Sequence, residues 1–206
     1  FLNVGDHGYH HAINTLTSVH NSLTGQKNGI HKLSLKVDGA PSIVAGIHPE
    51  TKKFFVGTKS VFNKTPKINY TEKDIDENHG HAPGLAQKLK IALKHLPKVI
   101  HSGIHQGDYI HDPEMRSHDK DQVKFRANTV EHRVSSKSDE AQAIKKSKMG
   151  IAFHTTYSGK DMTDLKADYS KKANFSSHPD VHVLDVSHDF SQDNYSPKRQ
   201  KAFAMH

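Results

Sequence analysis

Lys36-Val37-Asp38-Gly39 brings an amine, a carboxylate and a flexible turn residue together, a set suited to nucleophilic attack by a lysine. Lys36 closes a stretch in which Leu33, Leu35 and Val37 alternate with Lys32, Ser34 and Lys36, the period of a half-buried strand. A lysine on such a rigid element holds its direction, and Gly39 permits a tight turn beside a ligand. An amine nucleophile must shed its proton, which burial and neighbouring cations promote. Lys59 supplies such a cation if the strand before it pairs alongside. The same residues also read as an outward-facing strand lysine followed by an ordinary Asp-Gly turn.

The chain holds 19 histidines. His7, His10 and His11 gather at the start of an expected helix, and His79 and His81 in an expected loop. Zinc needs three or four converging ligands of fixed geometry. No His-Glu-x-x-His arrangement occurs and the other histidines are scattered, so a dedicated zinc site is not expected. The glycine-rich phosphate loop of P-loop enzymes is also missing.

The elements that must position these residues follow from periodicity. Asp6 and the apolar series Ala12, Ile13, Leu16, Val19 and Leu23 predict an amphipathic helix stopped near Gly25. Residues 42–47 and 53–57, joined by His-Pro-Glu-Thr, predict an antiparallel hairpin. Residues 63–78 are polar and without period, and read as a long loop. A helix is expected over 84–95, with Pro97 just past its end. Strands are expected over 99–110, 123–126, 129–134, 150–157 and 181–186, with a loop or short helix over 135–148. Residues 161–174 read as polar, and Lys198–Lys201 as a basic, solvent-facing tail. No internal repeat or linker divides the chain. The order predicts one α+β domain built on antiparallel sheet.

The 206 residues suffice for a single domain with a core of its own. Twenty-nine basic against 22 acidic side chains leave a net charge of +7, which favours polyanionic partners such as nucleic acid or nucleotides. Cysteine is absent, which rules out disulfides, thiolate metal sites and a cysteine nucleophile, and fits a reducing compartment such as the cytoplasm. No apolar run reaches the roughly 18–20 residues that span a bilayer, so no membrane partner is expected. No signal peptide is read at the N-terminus, and a chain beginning at Phe1 is expected to be a trimmed or partial product.

Lys-x-Asp-Gly resembles the nucleotide-accepting motif of the covalent nucleotidyltransferases: ATP-dependent DNA ligases, RNA ligases and mRNA capping enzymes. Thr58-Lys59-Ser60 is similar to their second, basic motif. Gln106-Gly107-Asp108-Tyr109 is similar to their acidic strand end near the ribose, and Gly150-Ile151-Ala152-Phe153-His154 to the strand whose aromatic stacks on the base. Residues 36–157 also resemble an uncharacterised family of large tailed phages in which Asp-Gly-Ala-Pro, Val-Gly-Thr-Lys-Ser-Val-Phe and His-Thr-x-Tyr recur.

The resemblance implies an antiparallel nucleotidyltransferase domain of the ATP-grasp-like, ligase-adenylation kind. It further implies ATP and Mg²⁺ as cofactors, nucleic-acid ends (DNA or RNA) as partners, and, for a viral protein, the host cytoplasm. Lys36 would be the nucleophile. Asp38, Gly39, Lys59, Asp108 and Phe153 would surround the nucleotide, with Asp108 also a metal ligand. In place of the ligases' later Glu-Gly motif, which helps hold metal, Asp185 is the nearest acidic residue on an expected strand and would be a second metal ligand. Their final Lys-x-Lys has loose echoes in Lys198, Arg199 and Lys201. The expectation is therefore either a native chain continuing past His206 or a ligase-like fold that binds without catalysing. Outside the resemblance, Asp108 reads as a turn aspartate, Phe153 as plain core and Lys59 as a solvated lysine.

Overall fold

Two antiparallel sheets and four helices make up the described part of the chain, residues 5–23, 37–168 and 173–184 of the computed structural model. Residues 36–186 form one unit and the two ends of the chain belong to another. Helix α1 (Gly5–Leu23), in the latter, follows the expected span, with Asp6 in its first turn and His20 in its last, where each complements the helix dipole, His20 when protonated. Tyr9, Ile13 and Leu16 on it are exposed.

In the larger unit, β1 (Ser42–Ile47) and β2 (Phe54–Gly57) form the expected hairpin. Strand β3 (Ile104–His111) pairs with β1 on one side and with β7 (Met149–Ser158) on the other. The far edge of β7 is shared: β8 (Lys166–Asp168) pairs antiparallel with residues 156–158, and β9 (Val181–Val183) pairs in parallel with residues 149–151. The order β2-β1-β3-β7-β8, with β9 beside β7, makes a six-stranded sheet. A three-stranded meander, β4 (Arg116–His118), β5 (Gln122–Ala127) and β6 (Val130–Ser135), forms the second sheet. The architecture is α+β on antiparallel sheet.

Residues directly opposite across a ladder share a face, and alternate residues change face. One face of the large sheet carries Ile43, Ala45, Val56, Tyr109, Met149, Ile151 and Phe153, packed with Leu89, Ala92 and Leu96 into the main core. Helix α3 (Pro83–His95) covers it, with Ala86, Leu89 and Ala92 buried at helical spacing. Its start has Pro83 in the first turn, where a missing N–H costs nothing. The opposite face carries two separate apolar clusters. Val44, Phe55, Val61 and Ile104 form one; Ile110 and Ala152 meet Val123, Phe125 and Ala127 of the small sheet and Ala141 and Ile144 of α4 (Asp139–Lys146) in the other.

Two expectations are corrected. Residues 63–78 are not one loop: Glu72–His79 is a helix, α2, opened by a Thr71–Asp74 capping box, which satisfies otherwise unpaired amides at its start. The strand expected from residue 99 begins only at Ile104, because Leu96–Lys98 is a 3-10 turn and Val99 and Ile100 are buried as part of the core. Residues 135–148, expected as a loop or short helix, hold the short helix α4, capped by Ser138, whose hydroxyl accepts from the Ala141 amide. The strand expected over 32–36, the Gly25 stop and the basic tail lie outside the described residues.

Candidate functional site

Residues 39–41 lie against β3. The Ala40 amide donates to the Tyr109 carbonyl (3.1 Å) and the Tyr109 amide to the Pro41 carbonyl (2.9 Å), with a cis bond between Ala40 and Pro41. This places Gly39 hard against the strand. A Cβ built on it would lie 2.4 Å from the Tyr109 oxygen, 2.8 Å from Ile110 Cδ1 and 3.1 Å from Asp108 Cβ. Only glycine fits such an approach. Asp38 is exposed and accepts a 2.7 Å hydrogen bond from Asn128 in the β5–β6 turn, where Asn128 takes positive φ. Lys88 of α3 donates to the Ala40 carbonyl (3.0 Å).

Beside Gly39, polar side chains line the second face of the large sheet between its two apolar clusters. Asp108 stands opposite Ser42 on β1 and Ala152 on β7. The Gln106 amide donates to the Ser42 hydroxyl (2.9 Å), and the Tyr157 hydroxyl donates to the Gln106 carbonyl oxygen. His154 Nε2 lies 3.6 Å from Asp108 Oδ1, and its Nδ1 is 2.7 Å from the Thr155 hydroxyl. Burial pushes the Asp108 pKa up, but His154, the Ser42 hydroxyl and the Gly39 amide together outweigh it and hold the carboxyl below its ordinary value. Asp108 is 7% exposed and Gln106 5%, so this is an ionised acid in a nearly dry row of hydrogen bonds.

The row owes its length to an irregularity in β7. Gly107 pairs with Phe153 but Gln106 pairs with Thr155, so His154 is an extra residue in the strand. A bulge of this kind reverses the alternation beyond it. Thr155 and Tyr157 therefore join Asp108's face, whereas Phe153 before the bulge stays on the main-core face.

The residues expected at a nucleotide site are distributed as follows. Gly39, Asp38 and Asp108 are brought together. Lys59 is exposed on a 3-10 turn (Lys59–Phe62) whose Val61 packs against Val44 on Asp108's face, so the turn overlies one end of the row. Phe153 is not brought to the row: it stacks on Phe175 at 4.3 Å inside the main core. The aromatic pair on Asp108's side is Tyr157 with Phe62, at 4.8 Å. Lys36 and Asp185 lie outside the described residues.

Sequence reasoning missed Ser42, Gln106, His154 and Tyr157. Gln106 could have been found as the same-face neighbour of Asp108 two residues away. Tyr157 could not, because its face depends on the bulge.

As a metal ligand Asp108 fits poorly. Its carboxylate is engaged by a hydroxyl, an amide and an imidazole, which take up most of its acceptor sites. Among the described residues no three His, Asp or Glu side chains converge to hold a metal ion. His79 is buried within α2, with burial the first cause of its lowered pKa, and His81 is exposed. No helix among the described residues is long and apolar enough to cross a membrane.

No curated protein and no solved structure matches the chain. The sequence model of a family of unknown function, DUF6267, matches residues 1–206, and the chain belongs to that family.

Proposed function

We propose that the protein is a covalent nucleotidyltransferase of the ATP-dependent polynucleotide-ligase type, with Lys36 as its nucleophile. The observation that carries this reading is the docking of Gly39 on β3 beside the buried, ionised Asp108. It sets the segment following Lys36 against a row of hydrogen-bonding groups, with basic Lys59 on the turn above one end. In the proposed step the Lys36 amine, having lost a proton to solvent, attacks the α-phosphorus of ATP. A nitrogen–phosphorus bond forms, the bond from that phosphorus to the bridging oxygen breaks, and pyrophosphate leaves. In-line positioning and countercharge on the phosphates lower the barrier. The AMP then passes to a 5′-phosphate end of DNA or RNA, which the chain's positive charge attracts in a salt-dependent manner. Magnesium enters, in this reading, on the nucleotide's phosphates, which ordinarily leave the protein few ligands to supply.

A second reading is a protein that binds nucleic acid, or sits in a virus particle, without catalysing. The burial of Phe153 away from the row favours it, since the aromatic expected to stack on a base is committed to the core.

Incubation with α-labelled ATP and Mg²⁺, beside Lys36→Ala, separates the two. Label that survives denaturing electrophoresis in the wild type and is lost in the variant supports transfer. No label on either protein, with GTP and Mn²⁺ also tried, overturns transfer and leaves the binding reading.

A further inference from the structure

Where the small sheet meets the large one, four rings stand in series. His182 of β9 and His111 of β3 lie edge to edge and nearly coplanar, with centroids 5.4 Å apart and planes at 23°. His111 tilts against Phe125 of β5 at 4.8 Å, and Phe125 stacks on its cross-strand partner His132 of β6 at 5.1 Å and 10°. The ladder thus runs from one sheet into the other.

Space for it comes from one glycine. Gly150 of β7 is the register partner of both His111 and His182. A Cβ on Gly150 would fall 2.3 Å from His111 Nε2. Without that atom the two imidazoles approach until His111 Nε2 and His182 Nδ1 are 3.1 Å apart, a hydrogen bond that holds a single proton. His111 has no exposed surface, and its Nδ1 has no hydrogen-bond partner; neither has the buried Nε2 of His132.

One buried carboxylate, Asp112, stands nearby, and its charge acts on Arg116. The charge of Arg116 on β4 acts on both His111 and His182, that of His132 on β6 acts on His111, and that of Glu140 on α4 acts on His182. One proton more than the two that the neutral pair carries would put two N–H groups head to head, or leave an unpaired N–H in a dry joint, with a guanidinium alongside. Burial first, then His182, Arg116 and His132, push the His111 pKa down to about 3. Closing the joint therefore excludes a proton that a free imidazole takes up in mild acid.

We propose that this ladder is an acid-sensitive latch: below about pH 6 the small sheet, with α4, opens from the large sheet increasingly often while the main core under α3 stays folded. Opening breaks the Asn128–Asp38 bond and so frees the Asp-Gly segment from the small sheet. The latch is independent of any nucleotide chemistry at that segment.

Hydrogen exchange by mass spectrometry on the full chain at pH 7.5 and pH 5.0, corrected for the intrinsic pH dependence of exchange, tests the latch. One proton excluded from His111, with its pKa shifted from 6.5 to about 3, lowers protection of residues 116–146 about 30-fold at pH 5.0. Protection of residues 83–95 is expected to hold. Unchanged protection of the small sheet, or equal loss in both regions, overturns the proposal. In His111→Phe, a flat ring over Gly150, only the exclusion at His182 remains, so the small sheet should lose clearly less than 30-fold of its protection at pH 5.0; a full 30-fold loss there overturns the assignment to His111. If that variant does not fold, the imidazole carbon resonances of wild-type histidines decide. His111 should remain neutral at pH 5.0 in the closed form, and titration near 6.5 with the small sheet still protected overturns the latch.

Discussion

A Cβ on Gly39 would sit 2.4 Å from the carbonyl oxygen of Tyr109, nearer than any real side chain comes to a backbone oxygen. The Asp-Gly segment is therefore a docking point on β3. Gly39→Ala must push residues 39–41 off the strand, at the expense of the Ala40–Tyr109 hydrogen bond. Denaturant unfolding should show a loss of about 1–3 kcal/mol, the usual cost of forcing extra volume into a packed contact. Stability equal to wild type would mean the segment does not lie on β3.

Asp108 links stability to acid. Its folded pKa lies below its ordinary value, net of the opposing effect of burial, through His154, Ser42 and Gly39. The unfolded chain then binds the proton first as pH falls. The stabilisation is full above the ordinary carboxylate range, near pH 4, and is lost as pH drops through the folded pKa. Asp108→Asn should be less stable than wild type at pH 6, with the difference shrinking toward pH 3. Unfolding curves at both pH values check this, and a gap that widens in acid would contradict it.

Phe153 separates core from ligand contact. Stacked on Phe175, it should behave as a packing residue. Phe153→Ala is expected to cost about 3–5 kcal/mol and Phe153→Leu much less. If ATP labels the protein, Phe153→Leu should retain most of the labelling. A stable Phe153→Leu protein with labelling abolished would instead show that the ring touches the nucleotide.

Helix α2 depends on its first turn. The Thr71 hydroxyl accepts from the Asp74 amide at 3.2 Å, and the Asp74 carboxylate accepts from the Thr71 amide at 2.8 Å. Thr71→Ala should lower stability by about 1 kcal/mol, whereas Lys94→Ala on the exposed side of α3 should stay within about 0.5 kcal/mol of wild type. Thermal unfolding of the two variants side by side measures the contrast.

Much of this architecture is legible in the residue pattern, and the exceptions have physical causes. The hairpin at residues 42–57 and helix α3 are visible because each buries one face at its own period. Helix α2 hides because Ile75 is the sole apolar residue in Glu72-Lys73-Asp74-Ile75-Asp76-Glu77-Asn78-His79, although Thr71-x-x-Asp74 was a usable start signal. The strands β4 and β8 are three residues each, too short to show alternation. At the site, Asp108 and Gly39 can be singled out by their types. The company they keep cannot, since an extra residue at His154 decides which side chains of β7 turn toward them.

Strands β3 and β7 are neighbours at the centre of the large sheet, yet the whole small sheet and α4 lie between them in the chain. During synthesis the β1–β2 hairpin and β3 emerge first with one side of β3 still without its partner. The meander of residues 116–135 can assemble from local contacts, which close quickly. Not until Met149 and the residues after it leave the ribosome can the sheet be completed. A nascent chain stalled within the small sheet thus presents an open, apolar strand edge, the kind of surface that templates aggregation. Pausing after residue 148, rather than before residue 116, is the more hazardous event for this chain, because by then the small sheet has formed with no β7 to pack against.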